Sequence, residues 1–148
     1  MAVNPDLVGR EFAPTAPYLV GREKVREFAR AVFADAPEHT DLEAARALGY
    51  ADLVAPPTFA IVVQELTLRQ LMSEPDSGIA LERTVHGEQR FRWTRPIVAG
   101  DELTARLSVA SVRALGANAM VTSETEITDA DGAHVVTATS VLVIGGDA

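Results

Sequence analysis

Apolar spacing divides the chain into a helix-patterned first half and a strand-patterned second half. From Arg22 to Ala34, the residues Val25, Phe28, Ala29, Val32 and Phe33 recur at three and four, which predicts one amphipathic helix. Gly21 is a tolerable cap, and Glu23 in the first turn favours the macrodipole. The pattern stops at Asp35-Ala36-Pro37, because the residue before a proline is pushed out of helical geometry. Asp35 is therefore expected at a helix C-terminus, where the dipole disfavours a carboxylate. Thr40-x-x-Glu43 reads as a capping box for a short helix from about Asp41 to Leu48, ended by Gly49 as a left-handed cap. A third helical stretch follows Pro56-Pro57. It is apolar on most sides over its first half, as a buried helix is.

The rest alternates. Between Ile79 and Thr94, Leu81, Val85, Phe91 and Trp93 are expected on one face and Glu82, Glu88, Arg90 and Arg92 on the other. Leu103, Ala105, Leu107 and Val109 begin a second strand. Turns at Gly116–Asn118 and at Asp129–Gly132 separate Val121–Thr128 and Val135–Ile144. The prolines Pro5, Pro14 and Pro17 precede Tyr18-Leu19-Val20, which suits a loop and a short edge strand. The expected architecture is α+β in two layers: an antiparallel four-stranded meander wrapping one long helix at about residues 57–72, with the earlier helices as an N-terminal overhang. The strand at Ile79–Thr94 is left with an open edge, which favours closure by a second copy or a relative.

Length and charge narrow the classes. The 148 residues suit one domain over 1–148 with a proper core. No apolar run reaches the ~20 residues of a membrane span. Met1-Ala2-Val3-Asn4-Pro5-Asp6 lacks a charged-then-apolar leader, so a cytoplasmic location is expected. With no cysteine, disulfides, thiolate catalysis and zinc–thiolate sites are excluded. The net charge of −8 argues against a nucleic-acid backbone as partner. Arg83, Arg90, Arg92 and Arg95 nevertheless fall in one segment. They read either as a solvated strand face or as a docking patch for a phosphate-bearing or acidic carrier.

Candidate chemistry concentrates between Asp35 and Phe59. Asp35 and His39 lie a few residues apart on a loop, and a carboxylate with an imidazole facing one cavity can move protons on and off carbon and water. His39 falls just before the expected helix N-terminus, whose positive end favours the neutral ring; the plainer reading of the residues alone is a loop histidine bonded locally. His86 and Glu88 are expected together on the outer face, as a surface pair. His134 is placed on the outer side of a hairpin, Phe91 and Trp93 in the core, and Glu65 on the solvated side of its helix.

The sequence resembles the MaoC-like hot-dog dehydratases over nearly its full length, and actinobacterial proteins similar to the (3R)-hydroxyacyl-ACP dehydratase A subunit in particular. The likeness is carried by Arg22-x-x-x-Arg26-x-Phe28-Ala29, the Asp35-to-Asp41 loop, and Glu43-Ala44-Ala45-Arg46-Ala47-Leu48-Gly49-Tyr50. Val54-Ala55-Pro56-Pro57-Thr58-Phe59, Val85-His86-Gly87-Glu88-Gln89-x-Phe91 and Arg95-Pro96-Ile97-Val98-Ala99-Gly100-Asp101 complete it. The resemblance implies a hot-dog fold, no cofactor or metal, and acyl-CoA or acyl-ACP as substrate in fatty acid metabolism. It also implies assembly as a homodimer or as a heterodimer with a MaoC-like paralog.

Active members carry Asp-x-Asn-Pro-x-His, whose acid and imidazole hold a water at C3 of an acyl thioester. A glycine N–H from a His-Gly pair at the head of the central helix stabilises the thioester oxygen. Carried over, Asp35 and His39 are the catalytic pair, Pro57, Thr58 and Phe59 the substrate-binding helix head, and Arg90, Arg92 and Arg95 the carrier-docking residues. Three departures stand out. The loop is one residue shorter between acid and histidine, Ala36 precedes the proline where the motif has Asn, and Pro56-Pro57 replaces His-Gly, so that Pro57 has no N–H to give. The implied function is a dehydratase or hydratase subunit that shapes the acyl pocket beside a catalytic paralog, its own pair vestigial. The alternatives are a competent homodimeric (R)-specific enoyl hydratase and a non-enzymatic acyl-thioester binding protein.

Overall fold

The computed structural model describes residues 2–146. Its elements are β1 (Tyr18–Leu19), α1 (Arg22–Ala31), α2 (Leu42–Ala47), α3 (Ala60–Ser73), β2 (Thr84–Trp93), β3 (Glu102–Leu115), β4 (Asn118–Thr128) and β5 (His134–Ile144). Single 3₁₀ turns lie at Pro37–His39, Pro57–Phe59 and Leu81–Arg83. The expected α+β layout is present: one antiparallel sheet curled against one long helix. Among the described residues no helix is long and apolar enough to cross a membrane.

The strand order, β1-β3-β4-β5-β2, corrects the simple meander. Strand β2 does not pair with β3, its neighbour in sequence, but with β5 at the far side of the sheet. The reason lies in the connection after β2, which is bonded elsewhere. Ala55 N–H donates to Ile97 O (2.8 Å) and Ala99 N–H to Leu53 O (2.9 Å), drawing this segment onto residues 53–55 instead of into a hairpin. Edge strand β1 pairs with β3, so β2 is the long edge left open.

Helix α3 buries Ala60, Val63, Gln64, Thr67, Leu68 and Leu71 and exposes Glu65 and Arg69, which pair at 3.2 Å. Two apolar clusters pack beneath it. One holds Phe59, Val63, Ile97 and Val136, the other Leu7, Leu71, Leu107 and Leu142. Between them lie buried polar residues, with Thr67 Oγ1 2.7 Å from Gln64 O and 2.9 Å from Thr125 Oγ1.

The N-terminal segment closes the second cluster with Val3, Leu7 and Phe12. It can do so because Gly78 has φ +70 and no side chain; a Cβ there would stand 2.1 Å from the Ala2 carbonyl oxygen. Gly78→Ala is therefore expected to detach this segment, breaking the Asn4 N–H to Ser77 O bond (2.9 Å). Faster amide exchange over residues 2–12 would register the loss, and unchanged protection there would contradict it.

Several local expectations shift. Helix α1 ends at Ala31 rather than Ala34, because Phe33 takes a left-handed conformation (φ 57) while Ala34 N–H returns to Ala29 O (2.9 Å). This is a Schellman turn built on a residue that is not glycine. It turns the end of the predicted apolar stripe outward, and Phe33 is 91% exposed. Asp35 consequently lies beyond the last turn of α1, where the dipole has faded. The cap of α2 is Asp41, not Thr40: its Oδ1 accepts from Glu43 N–H (2.9 Å) and Ala44 N–H (3.4 Å). Thr40 is taken up in closing the preceding 3₁₀ turn, with its N–H on Pro37 O. Gly49 ends α2 left-handed as expected (φ 91).

The alternation assigned to Ile79–Thr94 also fails in part. Residues 81–83 form a turn, and the β2–β5 register skips Gly87, so a bulge flips the faces. Gly87 suits the crowding there, since a Cβ would meet Val143 Cγ2 at 3.2 Å. His86, Gln89, Phe91 and Trp93 pair with Leu142, Ser140, Ala138 and Val136 and share the face turned to α3. Val85, Glu88, Arg90 and Arg92 lie on the other. His86 is thereby separated from Glu88 and bonds Ser140 Oγ (2.8 Å) and Gln89 Oε1 (2.9 Å) instead.

Candidate active site

His39 closes the 3₁₀ turn that Pro37 starts, and it is 7% exposed. Two bonds clamp it to Val54. Val54 N–H donates to Glu38 O (3.0 Å), and His39 Nδ1 lies 2.6 Å from Val54 O. A carbonyl can only accept, so His39 Nδ1 carries the hydrogen of this bond, and Nε2 is the ring nitrogen left for proton exchange. Residues after Val54 run extended through Pro56 into the turn Pro57–Phe59, which leads into α3. From the sheet side, Trp93 at the end of β2 reaches the same point and donates its Nε1–H to Pro57 O (3.0 Å).

These pieces enclose a cavity of about 490 Å³. Glu38, His39 and Tyr50 line it from the overhang, Val54 to Pro57 from the helix head, and Trp93 to Ile97 from the strand and its exit loop. Chemically this is an apolar cleft with one imidazole, one neighbouring carboxylate residue, and no amide hydrogen at Pro57.

The anticipated site residues disperse. His39 and Pro57 line the cavity; Asp35 is exposed and does not. Thr58 is exposed beside it. Phe59 is fully buried with its ring edge-on to Phe28, centroids 5.4 Å apart. Arg90 and Arg92 lie on the outer face of β2, where Arg90 Nε is 3.7 Å from Glu88 Oε1. Arg95 lines the cavity, but its guanidinium donates to both Asp101 oxygens (2.9 and 3.1 Å) and to Asp129 (3.2 Å). The Asp101 hydrogen bond raises the Arg95 pKa further, and Asp129 is held below the usual carboxylate range by the Ala133 N–H and then by Arg95.

The three arginines therefore do not form one patch. Trp93, placed in the core by its alternation, is 45% exposed and forms part of the cavity wall, and Glu38 and Thr94 join it unanticipated. Glu38 had one sequence signal, its adjacency to His39. His134, on the outer side as expected, bonds Thr137 Oγ1 (2.7 Å).

Comparison with known proteins places this geometry. A family model described as the FAS1-like dehydratase domain region matches residues 6–138. A UPF0336 protein of Clavibacter michiganensis subsp. michiganensis is 63% identical over 147 residues, covering 99% of each chain. Among solved structures, a C-terminally truncated HadBC (3R-hydroxyacyl-ACP dehydratase) complex from Mycobacterium tuberculosis is similar at TM-score 0.77 and 36% identity, covering 89% of this chain and 92% of that one. A MaoC-like dehydratase is similar at TM-score 0.83 and 37% identity; the match covers 94% of this chain but 42% of that longer one.

Proposed function

The chain belongs to the FAS1-like dehydratase-region family and has its MaoC-like hot-dog fold, and from that premise we propose that it is a subunit of a (3R)-hydroxyacyl thioester dehydratase or hydratase, shaping the acyl pocket beside a catalytic MaoC-like paralog. The observation that carries this reading is the split of the acid–base pair. His39 lines the cavity while Asp35 stands outside it, and Pro57 at the helix head has no N–H for a thioester oxygen. The substrate class is acyl-CoA or acyl-ACP.

Two further features support a paired subunit. Strand β2 offers ten residues with one side unpaired, and α3 leaves Ile61, Val62 and Leu66 only half-buried. The MaoC-like dehydratase that matches over 42% of its length has room for a second unit of this size in one chain. A competent homodimeric hydratase is the second reading, favoured by one fact: Glu38 lines the cavity with His39 and is a carboxylate residue in place of Asp35.

Co-expression with a paralog that carries an intact Asp-x-Asn-Pro-x-His separates the two. The complex is expected to hydrate crotonyl-CoA, and His39→Ala in this chain to leave its turnover within about twofold. A fall of roughly 10²-fold or more, the scale of a lost general base, would move the chemistry into this chain and overturn the subunit reading.

A further inference from the structure

We infer that Trp93 sets the acyl length this cavity accepts, its indole forming the wall against which the apolar tail stops. The inference rests on the acyl-thioester reading above. Trp93 pairs with Val136 on the face turned to α3, yet Val136 is fully buried and Trp93 is nearly half exposed. A side chain on the inner face that is nonetheless open to solvent projects past the end of the core, here into the cavity. Its position is fixed from two sides. The indole N–H is held by Pro57 O at 3.0 Å, and the ring meets Phe91 with centroids 5.8 Å apart at 34°.

The surface that the ring continues is apolar: Val54, Ala55, Pro56 and Ile97. Arg95, the lining residue that could draw a charged group there, is already bonded to Asp101 and Asp129. Such a wall suits an alkyl chain rather than a carboxylate or a phosphate. The indole is also the largest side chain of the lining, so its removal opens the cavity along the β2 side toward Phe91. A purely structural latch between β2 and the helix head would leave chain-length preference untouched. A wall would not, because an apolar pocket discriminates roughly tenfold or more for each methylene it admits or refuses.

Trp93 is the only tryptophan in the chain, so its emission reports directly on the cavity. The chain is titrated with crotonyl-CoA, with trans-octenoyl-CoA and with CoA alone, following fluorescence and calorimetric heat together. Both thioesters are expected to change Trp93 emission, and CoA alone is not. In Trp93→Ala the octenoyl-to-crotonyl affinity ratio is expected to rise about tenfold or more, while Trp93→Phe, which keeps a ring and loses the N–H, shifts it by less than about threefold. Thioester binding with unchanged emission overturns the assignment. So does a ratio within about twofold of wild type in a Trp93→Ala variant that still melts cooperatively. Should that variant not fold, the Trp93→Phe ratio and the wild-type emission decide. No binding heat from either thioester, with the chain alone and with its complex with the paralog, removes the acyl-thioester reading itself, and the wall with it.

Discussion

Purified alone, the chain is expected on the subunit reading to hydrate crotonyl-CoA roughly 10³–10⁴-fold more slowly than a complex with a catalytic paralog, since that reading leaves it without two catalytic contributions. The first is the amide donor. A thioester enolate needs an N–H where negative charge develops, and losing one such donor costs roughly 10²–10³ in rate. Pro57 stands where the resembled family has a glycine, and its nitrogen carries no hydrogen. The second is the carboxylate that works with the imidazole. Asp35 does not line the cavity, and positioned general acid–base groups are worth about 10²–10⁴. Residues acting as a unit are not additive, so the deficit is set near the larger contribution rather than at their product. Initial rates followed by loss of enoyl absorbance would measure it. Turnover by the chain alone within about tenfold of the complex, abolished by His39→Ala, would refute the deficit and give the site to Glu38 and His39.

The largest effect on stability is expected from Phe59→Ala. Phe59 is fully buried where the 3₁₀ turn enters α3, and it meets Phe28 of α1 edge-on. Phe→Ala in such a site costs about 3–5 kcal/mol, the sum of lost transfer energy and the cavity left behind. For a domain of this size, ~2–4 °C per kcal/mol gives a fall in Tm of roughly 6–20 °C. Urea unfolding with an unchanged m-value would confirm that the native state, not the unfolded one, has changed. A loss under about 1 kcal/mol would mean that the turn repacks without the ring. Since the same turn carries Pro57, this variant also tests how far cavity shape depends on the core beneath it.

Much of this was legible in the sequence, though unevenly. The run after Pro57 announced a buried helix because nothing charged interrupts it before Glu65, and Gly49 marked a helix end through its left-handed backbone. Pairing order was not legible: alternation says which residues share a face, not which strand lies beside which, and β2 passes over its neighbour β3. Gly87 defeated the counting of period two, since one extra residue reverses every face on one side of it. At α2, Thr40 and Asp41 are both able caps; a turn closed by Pro37 O decides between them. At the site, Asp35 and His39 are near in sequence and still not on one cavity, because the turn at Phe33 and the clamp on Val54 orient them separately. Trp93 was misplaced for the complementary reason: alternation gave its face correctly but could not tell that the core stops short of it.

The face-flipping insertion at Gly87 has one more effect. It sends His86 to the inner face and leaves Glu88, Arg90 and Arg92 on the outer face of a bare ladder edge. A border that carries charges of both signs resists indiscriminate annealing to any passing extended segment, the first step toward fibrils. It yields to a counterpart whose own charges answer in register. A copy on its own is thus shielded from polymerising, and the same charges would bias which strand could pair at this edge.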